Sequence, residues 1–302
     1  MSVPSDYRVC VVGLGSMGMG AAQSCLRAGL ATSGIDLDAG RRDAFAAQGA
    51  EGVADGIAGL TGDFHAVIVL VVNGAQARQV ILGQGGVADR IAPGGAIMVS
   101  CTQSADDARA LGADLAARGV LMLDAPVSGG AAKAAQGAMT VMASGSDAAF
   151  DALAPVLEAV ATKTYRIGAE IGQGATVKVI HQLLAGVHIA VGAEAMALAA
   201  RAGIPLDTMY DVVTNAAGNS WMFENRMKHV VDGDYTPTSA VDIFVKDLGL
   251  VTETGRALGF PLPLASTAFA MFQQASNMGH GHEDDSAVVK TFSGITLPEG
   301  KS

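Results

Sequence analysis

Aromatic residues make up only 5% of the 302-residue chain, so its core cannot rest on stacked rings. Half of the residues are hydrophobic, which leaves Ala, Val, Leu, Ile and Met to fill the interior. That composition suits closely packed helices and sheets and does not suit a disordered chain. Cations are scarce: 19 Lys and Arg stand against 29 Asp and Glu, for a formal net charge of -10. Such a surface repels phosphate backbones, which argues against nucleic acid as a partner. An anionic ligand would need a local cationic pocket set against that field. Cysteine is limited to Cys10, Cys25 and Cys101, an odd and scattered set. It reads as reduced thiols in a cytoplasmic compartment rather than a disulfide framework. The opening MSVPSDYRV has no basic segment ahead of an apolar run, so no export signal is expected. The most apolar long stretch, 183–203, contains His188, Glu194 and Arg201. Its Ala and Gly suit helix contacts inside a protein better than a membrane span.

The length exceeds what one core usually serves, so two domains are expected. Short β-branched runs alternate with helical stretches over the first half of the chain. Strands are expected at 8–12, 32–35, 66–72, 96–100, 120–124 and 139–143, with helices at 17–28, 39–48, 75–82 and 105–118. Continuous apolar strands such as AVIVLVV at 66–72 are expected where helices cover both faces of a sheet. The alternation therefore predicts an α/β domain over 1–168 with a parallel, doubly wound Rossmann-type sheet. Strand signals then fade. Residues 169–302 are predicted to be all-helical, and a long helix from about 174 to 202 joins the two domains.

The segment Gly13-Leu14-Gly15-Ser16-Met17-Gly18 lies between the first strand and the first helix. Gly13 permits a tight turn, Gly15 lets the backbone approach a pyrophosphate, and Gly18 allows close helix packing. The helix N-terminus adds unpaired N–H groups and a partial positive charge. Asp36 closes the second strand, where a carboxylate accepts hydrogen bonds from ribose hydroxyls and repels a 2′-phosphate. NAD is therefore expected over NADP, although Arg41 and Arg42 downstream could soften that preference.

Oxidation of an alcohol needs a base for the hydroxyl proton. Lys178 is the outstanding candidate, near the start of the long helix, and Lys178, His181 and Gln182 share one helix face. A free lysine, with a pKa of about 10.4, is a poor base at neutral pH. Burial and the helix N-terminal field would both lower that value. The bland alternative is a surface lysine paired with a carboxylate.

The motifs VVGLGSMGMG at 11–20, SCT at 100–102, DAPVSGG at 124–130, GQGATVK ending at Lys178, and Lys246-Asp247-Leu248 occur in order. On these the chain resembles the β-hydroxyacid dehydrogenases, the group that includes 3-hydroxyisobutyrate dehydrogenase and tartronate semialdehyde reductase. The resemblance implies NAD-dependent oxidation of a small hydroxy acid, with Lys178 as general acid/base. It implies that Ser128, Gly129 and Gly130 hold the substrate carboxylate, and that Thr102 contacts the nicotinamide ribose or the substrate. Val72 and Asn73 would line the nicotinamide, Lys246 would contact the cofactor, and Asp247 would orient its neighbours. It also points to a homodimer or homotetramer. The stretches at 181–199 and 214–226 look most like members of the group that act on L-threonate. His181 and Gln182 stand where many relatives carry Asn, and Ser239 stands where many carry an aromatic residue.

Other features invite rival readings. His280, His282, Glu283, Asp284 and Asp285 suggest a metal site, but a solvated loop with Asp284 or Asp285 capping a final helix is favoured, and no metal is expected. Trp221 and Phe223 fit either a pocket wall or helix packing. A reductase running the reaction backwards uses the same lysine. A non-enzymatic dinucleotide sensor would need the glycine loop but neither Lys178 nor SGG.

Overall fold

The computed structural model describes residues 6–300, and the chain divides into two units, one ending at Lys178 and one beginning at Val179. The first unit opens with β1 (Arg8–Val12), α1 (Ser16–Arg27), β2 (Ala31–Ile35), α2 (Ala39–Ala46) and β3 (Gly52–Ala54). It continues through β4 (Phe64–Val69), α3 (Gly74–Leu82), β5 (Ile91–Val99), α4 (Ala105–Ala116) and β6 (Leu121–Asp124). After these come β7 (Val127–Ser128), α5 (Gly130–Ala135), β8 (Met139–Ser144), α6 (Asp147–Ala152), α7 (Ala154–Val160) and β9 (Ala161–Gly168).

Strands β3, β2, β1, β4, β5 and β6 lie side by side in that order, all parallel. Period-two alternation divides each central strand between two cores. Val9 and Val11 of β1 and Ala66 and Ile68 of β4 face one core. Cys10, Val12, Val67 and Val69 face the other. Helices cover both faces, with Ala21 and Ala22 of α1 in the first core and Ile81 of α3 and Leu111 of α4 in the second. The strand order reverses between β1 and β4, the switch point where doubly wound sheets bind ligands.

Beyond β6 the sheet departs from the parallel arrangement read from the sequence. Strand β8 runs antiparallel to β6 and β7, and β9 pairs parallel to β8. Both β7 and β9 went unrecognised in the sequence. The first has only Val127 and Ser128, and the second, ATKTYRIG, is an edge strand with no buried residue. Neither offers the apolar pattern on which recognition depends. All three cysteines are buried, and none is in a disulfide.

The second unit is built on most of α8 (Gln173–Arg201), with α9 (Leu206–Thr214), α10 (Trp221–Asp232), α11 (Val241–Ala257) and α12 (Pro263–Ala275). Helix α8 is long and apolar enough to cross a membrane, but half of the qualifying window is buried in protein. Its glycines bring neighbours close. A Cβ at Gly186 would lie 2.9 Å from Leu248 Cδ2, and one at Gly192 would lie 3.1 Å from Phe223 Cδ2. Phe244 and Phe272 stack in the same core at 5.2 Å between ring centroids. Phe223 is buried and stacks on Tyr210, whereas Trp221 is exposed.

The acidic segment near the C-terminus is solvated only in part, with His282 exposed and Glu283 half-buried. Asp284 and Asp285 are both fully buried. Asp284 caps the short 3-10 helix Asp285–Thr291 through the backbone N–H of Ser286, and it also accepts from Thr238 N and Oγ1. Asp285 Oδ1 lies 2.7 Å from Arg226 Nε. Asp284 can be buried there because its donors are buried with it, and Asp285 because the Arg226 cation lies against it. Among the described residues, no group of three or more His, Cys, Asp or Glu side chains is placed to hold a metal ion.

Burial pushes the Asp285 carboxyl from 3.8 up to about 7, with Arg226 opposing the rise and Asp284 adding to it. The folded chain then binds this proton more tightly than the unfolded chain. Its stabilising contribution is complete below the ordinary value and is lost as pH rises through the folded value. Thermal melting should therefore show an Asp285-dependent loss of stability between roughly pH 4 and 7, and Asp285→Asn should remove that component of the slope.

Candidate active site

The turn after β1 is shaped by what its glycines exclude. Gly13 has φ +90°, and a Cβ there would lie 2.5 Å from the Leu70 carbonyl oxygen. At Gly18 a Cβ would sit 1.6 Å from the Gly13 carbonyl oxygen, so α1 can seat against the turn only without a side chain. Around Gly15 the nearest atom is Arg41 Nη1 at 3.8 Å, which leaves that stretch of backbone open to approach. Helix α1 starts at Ser16 with no side-chain cap and no acidic residue in its first turn. Its N–H donors and positive end are therefore available to an anion. A tight turn, an open backbone and an uncapped helix end together fit a dinucleotide pyrophosphate. Leu14 is buried in the core, Met17 packs against it, and Ser16 is exposed.

Asp36, at the end of β2, braces this loop. One carboxylate oxygen accepts from Leu14 N at 2.7 Å and the other from Asp38 N at 2.9 Å. Arg41 Nη1 lies 3.6 Å from Asp36 Oδ2, while Arg42 donates to the carbonyls of Asp36 and Leu37. Arg42 is thus committed to the backbone. The carboxylate sits beside the phosphate loop, where adenosine ribose hydroxyls would find an acceptor.

Further along the same sheet edge, Val72 is half exposed and Asn73 caps α3 by accepting from Gln76 N. Thr102 follows β5 and is half-buried. Ser128 ends β7, and Gly129 and Gly130 follow with φ +135° and +69°. A Cβ on Gly130 would meet nothing within 4 Å, so its backbone is accessible. Gln103, which sequence reasoning passed over, is buried next to Thr102, and neither polar atom of its amide finds a partner among the described residues. An amide at a strand's end is too common a feature to signal this.

Lys178 is seated from a distance. Gly172 N and Ala175 N each donate to Asp124 Oδ2 at 2.9 Å, and Gly174 N donates to Ser144 Oγ at 3.0 Å. The start of α8 is thereby capped by the ends of β6 and β8 rather than by its own sequence. Gly174 is required because a Cβ there would lie 2.5 Å from the Asp124 carbonyl oxygen. Burial raises the Asp124 carboxyl pKa, opposed by the N–H groups of Ala175 and Gly172. Lys178 follows Ala175 by less than one turn and is itself buried, only 7% exposed. The surface-lysine alternative does not hold.

Within the second unit, the other picked residues form one hydrogen-bonded chain. His181 Nδ1 lies 2.9 Å from Gln182 Oε1, Gln182 Nε2 donates to Asp247 Oδ2 at 2.5 Å, and Lys246 Nζ donates to Asp247 Oδ1 at 2.5 Å. Gln182 and Asp247 are buried. That Asp247 and Gln182 meet is a tertiary fact with no signal in their spacing.

Asp124→Ala would strand the N–H groups of Gly172 and Ala175, which is expected to destabilise the fold by about 2–4 kcal/mol. Differential scanning calorimetry should register a fall of roughly 5–10 °C in Tm. Asp124→Asn, which keeps an acceptor oxygen, should fall less.

Comparison with known proteins places these features in a family. Residues 8–168 match the family model described as the NAD binding domain of 6-phosphogluconate dehydrogenase. Residues 172–292 match that described as NAD-binding of NADP-dependent 3-hydroxyisobutyrate dehydrogenase. The chain is 67% identical, over the full length of both proteins, to L-threonate dehydrogenase of Escherichia coli K12. It is 31% identical to 2-(hydroxymethyl)glutarate dehydrogenase of Eubacterium barkeri over 96% of each chain. A crystal structure described as 3-hydroxyisobutyrate dehydrogenase from Salmonella typhimurium is 66% identical, with a TM-score of 0.92 covering 95% of this chain and 100% of that one. With its glycine loop, its Asp36 brace and these relatives, the chain belongs to the β-hydroxyacid dehydrogenase family typified by 3-hydroxyisobutyrate dehydrogenase, as an NAD-dependent oxidoreductase.

Proposed function

We propose that the protein oxidises L-threonate at the hydroxyl carbon next to its carboxylate. What carries the reading is the 67% identity, over the whole chain, to a protein named for that activity. The 66% identical structure described as a 3-hydroxyisobutyrate dehydrogenase favours a second reading, a branched rather than a polyhydroxylated acid. NAD, when bound, supplies the hydride acceptor. Lys178 takes the alcohol proton as the carbonyl forms and returns it in the reverse reaction, the role of a general acid/base. Its buried seat near the positive end of α8 is the setting in which a lysine amine serves as a base. The Ser128 hydroxyl and the N–H groups of Gly129 and Gly130 hold the substrate carboxylate, and Thr102, Val72 and Asn73 border the nicotinamide. Gly13 to Gly18 cradle the pyrophosphate, with Asp36 accepting from the ribose.

NADH absorbance distinguishes the two substrates directly. Reduction of NAD with 3-hydroxyisobutyrate but with no four-carbon sugar acid would defeat the first reading. Lys178→Ala should retain NAD affinity and lower kcat by about 10²–10⁴-fold. A dinucleotide sensor would lose nothing measurable in its function.

The assembled protein is a homodimer or homotetramer in this reading. Ile180, Leu184, Val191 and Leu198 are exposed along α8, and three of them repeat with coiled-coil spacing. Light scattering on the wild type should give a multiple of 30.4 kDa, and Leu184→Glu with Val191→Glu should reduce it to the single-chain mass.

A further inference from the structure

The corner where β2 passes into α2 carries Asp36, Asp38, Arg41 and Arg42, whose formal charges cancel. Most of these groups are held in place. Asp36 accepts from Leu14 N with one oxygen and from Asp38 N with the other. Asp38 Oδ1 caps α2 by accepting from Arg41 N. Arg42 Nη1 donates to the carbonyls of Asp36 and Leu37. The Arg41 guanidinium is attached more loosely, through an approach of 3.6 Å from Nη1 to Asp36 Oδ2. That is an ion pair too long for a hydrogen bond.

Exposure separates the two members of this pair. The Asp36 side chain is 9% exposed and that of Arg41 is 53% exposed. An anion arriving from solvent therefore meets the cation first. Asp36 alone would repel a 2′-phosphate, but two backbone N–H groups and a guanidinium now offset its charge. Arg41 Nη1 also lies 3.8 Å from where a Cβ on Gly15 would stand, on the open side of the glycine turn. The free-swinging charge thus sits beside the loop whose shape fits a dinucleotide.

We propose that the protein accepts NADP as well as NAD, with Arg41 leaving Asp36 to pair with the 2′-phosphate. Asp36 stays behind, because its release would strand the N–H groups of Leu14 and Asp38. A guanidinium presents a planar fork that matches two phosphate oxygens, a geometry its present contact with Asp36 does not use. An ion pair with an exposed member contributes little to stability, so the exchange gives up little. With NAD there is no phosphate on the ribose, and Arg41 keeps its place beside Asp36. Arg41 is then the residue that sets how wide the choice of dinucleotide is. The inference rests on the dinucleotide site of the first unit and on nothing in the second.

Isothermal titration calorimetry on the full chain, with NAD and NADP titrated separately, reads the effect without turnover. The wild type should bind both, NADP more weakly. Arg41→Ala should weaken NADP by about tenfold and NAD far less. The pair 2′,5′-ADP and ADP should repeat the pattern, which confines it to the adenosine end. Absence of NADP binding at millimolar concentration, with NAD bound, would overturn the proposal. So would equal losses on both dinucleotides in Arg41→Ala, the sign that Arg41 shapes the loop and does not meet the phosphate. If the wild type binds neither dinucleotide, the site itself fails and the proposal falls with it.

Discussion

The backbone N–H groups at the start of α8 need acceptors, and they find them in Asp124 and Ser144 at the ends of β6 and β8. Position and phase of its first turn follow from that attachment. Because Gly172, Gly174 and Ala175 are tied to the sheet edge, Lys178 has its place and its burial decided for it. Burying a carboxylate is unfavourable unless donors surround it. Here the start of a helix of 29 residues supplies donors to Asp124 Oδ2, while Oδ1 is buried with no hydrogen-bond partner among the described residues.

A comparable economy governs the loop after β1, where steric exclusion does the positioning. Gly13 and Gly18 are placed where any side chain would strike a carbonyl oxygen, whereas Gly15 is left with open space. Backbone donors thus come to the surface at the switch point of the sheet, beside a carboxylate already fixed by Leu14 N. Binding of a dinucleotide then requires little rearrangement of the turn, which is what preorganisation contributes to affinity.

The second unit shows how polar groups are accommodated in an apolar helical core. Asp247 is buried but bonded to Gln182 and Lys246, and Asp285 is buried against Arg226. Asp247 faces donors and Asp285 faces a cation, while Ile189, Met196, Val230 and Phe272 around them form an apolar core. Removing one partner from such a pair leaves a buried charge uncompensated, which destabilises the fold strongly.

Much of this was legible in the chain itself. Strands β1, β4 and β5 announced themselves by continuous apolar runs, and α1 and α4 fall within two residues of the stretches expected at 17–28 and 105–118, because those patterns record burial on two faces or one. The glycine spacing identified the loop because the steric demand is local. Tertiary structure alone decided the rest. The antiparallel turn at β8, the edge strand β9, the burial of Asp284 and Asp285, and the capping of α8 by Asp124 all join residues far apart in sequence. So does the bond from Gln182 to Asp247. Local pattern reports what a residue's neighbours in sequence require of it, but a hydrogen-bond partner is chosen by where the folded chain places it.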